Sequence, residues 1–339
     1  MKVISTFPPY APFLEELLEH PVISGIRINT VMPLKETPED MLKRIKKAAG
    51  EKELWIDLKC RQVRTTHGSA FYATPPKPSE PRVYRINGTD YVLDSSNPRA
   101  HGEVVTPPWA SLKLTHKISL DFSGGPVTCY FQDGLNQAKI VEVIDGDTLI
   151  MLEGPRRLVG GGEAINIPDP SLKIEGFFTE SDLAYIEAAK ASGLHHYMLS
   201  YVEEDSDIEQ MLELDPDAKI VAKIESQKGL QWAKESYSCY QEKVRLMAPR
   251  GDLYTEVGRP DKIIGAMKTI IGADPSAFIA SRILMSLLQS ARPSCSDITD
   301  VACMLQMGYQ TLMIGDDICF EEERLLLALD ILNSIAEEF

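Results

Sequence analysis

The sequence predicts an α/β fold: a (β/α)8 barrel with an all-β lid domain inserted after its third strand. Three observations predict it. Short apolar strand-like runs alternate with amphipathic helical ones over residues 1–64. A stretch punctuated by Pro, Gly, Asn and Asp follows over 65–163, and the βα alternation then resumes over 164–339. Three strands before the insertion and five after it make eight, the number that closes a TIM barrel. The 339 residues suit this division, with about 240 for a barrel and about 100 for a lid. A doubly wound open sheet is the competing architecture, but no GxGxxG follows the first strand.

In chain order, MKVIST is the first strand and PFLEELLEH the first amphipathic helix. SGIRIN follows as a strand, PEDMLKRIKKAAGE as a Lys-rich helix and ELWIDLK as a strand. The lid carries the strand-like runs PRVYRI, DYVLD, VTCYF, AKIVEVI and DTLIMLEG. Turn dipeptides stand at Asn87-Gly88, Asp133-Gly134 and Asp145-Gly146. The glycines of VGGGEA close the lid rather than joining a strand to a helix, so they read as linker. Helix ESDLAYIEAAKAS then precedes strand HHYMLSYV, and helix DIEQMLELD precedes strand AKIVAKIES. Strand VRLMAPRGD leads to helix PDKIIGAMKTIIG, and strand SAFIASRILM to helix SDITDVACMLQMG. Strand YQTLMIGDD and the helix EEERLLLALDILNSIAEEF complete the eight units.

Composition narrows the function classes. Lys plus Arg number 35 against 50 Asp plus Glu, a net charge of −15, which argues against the wide basic surfaces that bind nucleic acid or anionic membranes. No run approaches the roughly 18 apolar residues of a membrane span, and the N-terminus lacks a basic, apolar leader. The six cysteines are scattered, without a CxxC pair. Together these features read as a reduced, cytoplasmic protein.

In a barrel, chemistry collects at the C-terminal strand ends. In Lys219-Ile220-Val221-Ala222-Lys223-Ile224-Glu225 the strand period of two places Lys223 and Glu225 on one face. A structural ion pair is the plainer reading of such a Lys and Glu. The neighbouring strand ends Pro249-Arg250-Gly251-Asp252, where Gly251 permits a tight turn that brings backbone N–H groups to an anion. Glu225 and Asp252 together suit Mg or Mn, which take one or two carboxylates plus substrate oxygens. No histidine cluster points to zinc; His195 and His196 read as the start of a strand, facing opposite ways. Arg27 and Asn29 in GIRIN, and Asp57 and Lys59 in WIDLK, repeat the spacing of two. Arg27 is suited to gripping a phosphate, and a structural salt bridge is its plainer role. Ser281 in FIASR suits orienting a proton or water, and a helix cap is its plainer role. Jointly these residues describe a metal-assisted site for a phosphorylated or carboxylated anion.

The same residues resemble the pyruvate kinase family. The matching segments are AKIVAKIESQKGL, RLMAPRGDLYTEV, FIASRIL and ARPSCSDITDVACML, with weaker likeness in GIRIN, LWIDLKCRQVR, EAINIPDP and the turn Tyr130-Phe131-Gln132-Asp133-Gly134. They run in family order along nearly the whole chain. The resemblance implies a barrel with a β lid, and phosphoryl transfer between phosphoenolpyruvate and a nucleoside diphosphate. Position by position, it implies that Lys223 neutralises the phosphoryl group and the pyruvate enolate, and that Glu225 and Asp252 hold the metal. It assigns the substrate carboxylate to the N–H groups of Gly251 and Asp252, the region of the protonated methylene to Ser281, and the phosphoryl group to Arg27. Asn29, Asp57 and Arg64 fall on the nucleotide and monovalent-cation side.

On that side the chain departs from the family. The family's Ser and His after Asn29 are Val31 and Met32, its Thr after Asp57 is Leu58, and its Glu is Gln62. A family Lys falls at Glu163, and SGETA becomes Ile314-Gly315-Asp316-Asp317-Ile318. These changes count against potassium binding and weaken the case for ADP. The family's C-terminal regulatory domain has no counterpart, so the chain reads as a short form in which a homo-oligomer stays open. Two further readings stand beside the kinase. One is a metal-dependent enolate enzyme (a lyase, decarboxylase or phosphatase) acting on phosphoenolpyruvate or oxaloacetate-like substrates without ADP. The other is a non-catalytic relative that binds a metabolite.

Overall fold

A computed structural model describes residues 1–66, 110–155, 157 and 159–339 in full, together with the backbone of 82–86, 89–93 and 109. Chain contacts group it into two compact units, Met1–Cys60 with Phe178–Phe339, and Arg61–Phe177. In chain order the strands are β1 (Lys2–Thr6), β2 (Ile23–Asn29) and β3 (Glu53–Leu58) in the first unit. In the second they are β4 (Arg82–Ile86), β5 (Thr89–Leu93), β6 (Trp109–Lys113), β7 (Ile118–Ser119), β8 (Val127–Phe131), β9 (Asn136–Ile144), β10 (Thr148–Leu152) and β11 (Lys173–Ile174). The first unit resumes with β12 (His196–Leu199), β13 (Lys219–Lys223), β14 (Val244–Pro249), β15 (Phe278–Ala280) and β16 (Thr311–Ile314).

The eight strands of the first unit close into a parallel barrel in the order β1-β2-β3-β12-β13-β14-β15-β16, with β16 pairing back to β1. Ile4, Trp55, Met198, Val221, Met247, Phe278 and Met313 point inward and pack as one apolar cluster. At the matching level of β2 stands Gly25, opposite both Ile4 and Glu53; a Cβ there would come within 2.6 Å of the Glu53 carbonyl oxygen. Two residues further along, on the same inward face, stand Thr6, Arg27, Asp57 and Lys223 on their strands and Ser200 just past the end of β12. The period of two thus stacks a polar layer directly on an apolar one.

Helices between the strands start and stop on local signals. Pro38–Ala49 begins at Thr37, whose hydroxyl accepts the Asp40 N–H, and ends at Gly50 with φ 58°. Its Met41, Leu42, Ile45 and Ala49 form the buried stripe expected of a helix covering a sheet. Glu180–Ala191 opens with a capping box between Thr179 and Asp182. The buried Asp182 carboxylate also accepts the Lys59 and Cys60 N–H groups at 2.8 and 3.0 Å. One side chain therefore fastens the end of β3 to the start of this helix.

Three elements differ from the sequence expectation. Strand SAFIASRILM shortens to β15, because Ser281, Arg282 and Leu284 adopt left-handed backbone with φ 69°, 57° and 55°. Arg250–Glu256 is a short helix that starts directly after β14, so Gly251 lies in a first helical turn rather than in the tight turn expected of it. A further short helix, Asp316–Cys319, follows β16.

The second unit contains no helix among its described residues. Its main antiparallel sheet has the order β6-β10-β9-β8; β7 pairs with β11 and β4 with β5. In β8 Val127, Cys129 and Phe131 alternate inward onto Ile140, Leu149 and Met151. The Asp-Gly pairs turn as expected, with positive φ at Asp133, Gly134, Asp145 and Gly146. Asn87-Gly88 lies outside the described residues. Beyond the VGGGEA glycines the chain stays in this unit, where Asn166 bridges to Tyr130 and Lys173–Ile174 pairs with β7.

Candidate active site

The polar layer at the C-terminal end of the barrel is organised around Asp57, which is fully buried. Its carboxylate accepts Arg27 Nε at 2.8 Å and a second bond from Arg27 Nη2. Lys59 Nζ stands 3.1 Å from it and Lys223 Nζ 3.3 Å. Burial by itself would push this carboxyl up, but the three cations hold it well below the usual carboxylate range. Lys223 Nζ also donates to Ser200 Oγ at 2.8 Å and lies 3.3 Å from Glu225 Oε1. Burial pulls the Lys223 ammonium down, and Asp57 and Glu225 raise it further, so it stays charged.

Strand β13 closes at Lys223, which leaves Glu225 in the loop that follows. Glu225 is fully buried, and its Oε2 accepts the Tyr201 N–H at 2.8 Å, whereas its Oε1 receives no hydrogen bond. Burial, with the nearby Asp252 charge, pushes its carboxyl up to about 7 despite Lys223. A buried carboxylate oxygen that accepts no hydrogen bond, beside a second carboxylate, is a donor set suited to Mg or Mn. The Tyr201 hydroxyl spans Asp252 and Glu256 at 3.4 Å each, drawing Asp252 into the same network.

Arg27 is bound on several sides. Besides Asp57 it donates from Nη1 to Thr6 Oγ1 at 2.9 Å and to Asp316, while Asn29 Nδ2 donates to the other Asp316 oxygen at 2.6 Å. The carboxylates of Asp316 and Asp57 raise its pKa against the opposing effect of burial. Directly after β14, Arg250 forks onto Asp300 at 2.8 Å and onto the Ser281 and Arg282 carbonyls at 2.9 Å. That fork holds the left-handed segment at Ser281, and Arg282 in turn stacks 4.6 Å over the Tyr254 ring.

Hydrogen bonds and ion pairs thus connect Arg27, Asn29, Asp57, Lys223 and Glu225 in one network, with Asp252 joined through Tyr201. Gly251 lies in the first helical turn beside Asp252, and Ser281 enters through its backbone. Arg64 belongs to the second unit, where Gln62 and the Gly162 carbonyl hold it; Glu163 pairs there with Arg157. Sequence reasoning missed Thr6, Ser200, Tyr201, Arg250 and Asp300 as site residues, and took Asp316 only as a departure. Stepping two residues along β1 and β12 from Ile4 and Met198 would have found Thr6 and Ser200; no local signal marks the others. His195 and His196 part as expected: His195 bonds Asp215, and the His196 ring packs 4.9 Å from Trp55 at the start of β12. His195, Asp215 and Asp217 cluster at the N-terminal ends of the strands, where Asp215 already takes the Tyr197 hydroxyl.

A family model described as the barrel domain of pyruvate kinase matches residues 109–319. The chain is 23% identical to a pyruvate kinase of Borreliella burgdorferi over 339 aligned residues, covering 93% of this chain and 63% of that protein. It is 24% identical to a pyruvate kinase of Methanocaldococcus jannaschii, covering 67% of this chain and 50% of that protein. For the pyruvate kinase of Naumovozyma castellii the figures are 25%, 56% and 38%. The chain spans less than two thirds of the length of each of these relatives. Among the described residues no helix is long and apolar enough to cross a membrane.

Proposed function

The chain belongs to the pyruvate kinase family, and from that premise we propose that its barrel mouth catalyses phosphoryl transfer between phosphoenolpyruvate and a nucleoside diphosphate with a divalent metal. The observation that carries the proposal is the buried ion pair of Lys223 and Glu225, in which the ammonium stays charged and Glu225 Oε1, 3.3 Å from it, accepts no hydrogen bond. Glu225 and Asp252 hold Mg or Mn; when bound there, the ion supplies positive charge to the substrate oxygens.

The chain's own groups do the rest. The phosphoryl group leaves the enol oxygen for a terminal oxygen of the diphosphate, and the negative charge left on the enolate is stabilised by Lys223. Asp57 and Ser200 hold that ammonium in place, so little reorganisation accompanies charge development. The carbon then takes a proton on the side of Ser281, giving pyruvate. Gly251 and Asp252 receive the substrate carboxylate, and Arg27 faces the phosphoryl group. Val31, Met32 and Leu58 replace polar groups on the monovalent-cation side, and Asn29 and Asp57 are already engaged by Asp316 and by three cations. The reaction is therefore expected to run without potassium.

A second reading, enolate chemistry on a 2-oxo acid or phosphoenolpyruvate without a diphosphate, draws support from the commitment of Arg27 to Asp57 and Asp316. Purified protein is assayed with phosphoenolpyruvate, Mg or Mn and a panel of nucleoside diphosphates, with and without potassium. Pyruvate formed only with a diphosphate supports the transferase, and diphosphate-independent turnover supports the second reading. No turnover, together with no metal-dependent binding of oxalate, refutes both. In the active protein, Lys223→Met should abolish turnover while leaving Mn binding in place, whereas Glu225→Ala should weaken Mn binding. Equal Mn affinity in Glu225→Ala would remove that residue from the metal site.

A further inference from the structure

The guanidinium of Arg27 offers five N–H groups. Four serve protein acceptors: Nε and one Nη2 hydrogen go to Asp57, and the two Nη1 hydrogens go to Thr6 and Asp316. The two carboxylates are not equivalent. The Asp57 side chain is 0% exposed and forms the inner partner, whereas that of Asp316 is 34% exposed and forms the outer one. Asp316 also takes the Asn29 amide at 2.6 Å, so a single carboxylate spans the two polar residues at the end of β2. An anion approaching Arg27 from solvent can form a two-pronged contact only by displacing that carboxylate from Nη1. It meets a negative charge already in place, and the penalty grows with the charge the anion carries.

We propose that Asp316 is a specificity-determining residue that screens Arg27 and sets the selectivity of the site between phosphorylated and unphosphorylated small acids. The inference rests on the reading of the barrel mouth given under Proposed function. A dianionic phosphoryl group needs Arg27 and competes directly with Asp316, whereas a compact 2-oxo acid or oxalate held by the metal side does not reach it.

The test measures Mn-dependent binding of phosphoenolpyruvate and of oxalate by titration calorimetry in the unsubstituted chain and in Asp316→Asn, Asp317→Asn and Asp316→Asn/Arg27→Met. Asp317 is the adjacent exposed carboxylate, so its variant removes the same charge one residue away. Asp316→Asn is expected to tighten phosphoenolpyruvate at least tenfold relative to oxalate. Asp317→Asn should leave that ratio within about twofold, and adding Arg27→Met should cancel the gain. Intact oxalate binding with an unchanged ratio in Asp316→Asn overturns the role of Asp316 alone. An equal gain in Asp317→Asn also overturns it, because the effect would then be one of general charge. Loss of Mn-dependent oxalate binding in every protein, the unsubstituted chain included, overturns the reading of the site and this inference with it.

Discussion

Replacing Asp57 by Asn tests whether the barrel mouth is held together by charge compensation. The change is nearly isosteric, so it opens no cavity and removes only the carboxylate's charge. Asp57 is 0% exposed and touches Arg27 at 2.8 Å, Lys59 at 3.1 Å and Lys223 at 3.3 Å. Taking one partner from a buried ion pair costs about 3–5 kcal/mol, because the charge left behind is desolvated and unpaired. Asp316 and Glu225 still face Arg27 and Lys223, so the cost belongs within that range rather than at a multiple of it. For a unit of this size each kcal/mol moves the melting temperature by about 2–4 °C, which gives a drop of about 6–20 °C.

The assay is thermal and denaturant unfolding of the metal-free protein. The folded-state pKa of Asp57 is depressed, so its contribution is present above the ordinary value of 3.8 and is lost only as the pH falls through the lower folded value. Between pH 8 and pH 9, where the Glu225 carboxyl is ionised as well, the cost of the substitution should therefore be constant. A companion double substitution, Asp57→Asn with Lys223→Met, should cost less than the sum of the two, by about 1 kcal/mol or more, because one of the stranded charges goes with its partner. A melting temperature within about 2 °C of the unsubstituted chain, or strict additivity in the cycle, would refute the hub assignment.

The other expectations are briefer. Because the Glu225 carboxyl sits at about 7, only about a tenth of it is ionised at pH 6, and a metal must displace the proton. Mn affinity should therefore weaken about tenfold from pH 8 to pH 6, and a flat profile measured by calorimetry would show that Glu225 is not a ligand. Ser281→Gly relieves a left-handed backbone that costs about 1–2 kcal/mol for an ordinary residue, against about 0.5–1 kcal/mol of added unfolded-state freedom. It should raise stability slightly while lowering turnover; lower stability with full turnover would contradict that reading of the strained segment. Arg250→Lys keeps the charge but loses the planar fork that grips Asp300 and the Ser281 and Arg282 carbonyls. Turnover should fall at least tenfold with little change in Mn affinity, and unchanged turnover would release Arg250 from a positioning role.

The placement of the polar layer was legible in the chain because a strand repeats every two residues. Trp55 and Asp57, and Val221 and Lys223, each announce an apolar position followed by a polar one on the same face; the same step from Ile4 to Thr6 was open to reading but went unread. The Asp-Gly turns at 133 and 145 were legible because their chemistry is confined to neighbouring residues. Where a residue's conformation depended on a distant partner, the local reading went astray. FIASRIL looks like a continuing strand, but the Arg250 guanidinium, 31 residues earlier, draws the Ser281 carbonyl into a left-handed turn.

What the sequence determined by itself was the alternation that builds the barrel, its interruption by β structure, and the set of charged residues that end the strands. What only the tertiary structure decided was which of those charges compensate one another. Arg27 and Asp316 are 289 positions apart, and Lys223 and Asp57 are 166 apart. Periodicity fixes the face on which a side chain stands, but closure of the barrel brings the first strand beside the last. In that low-dielectric ring each charge is satisfied by whichever opposite charge the closure delivers, a choice no local pattern encodes.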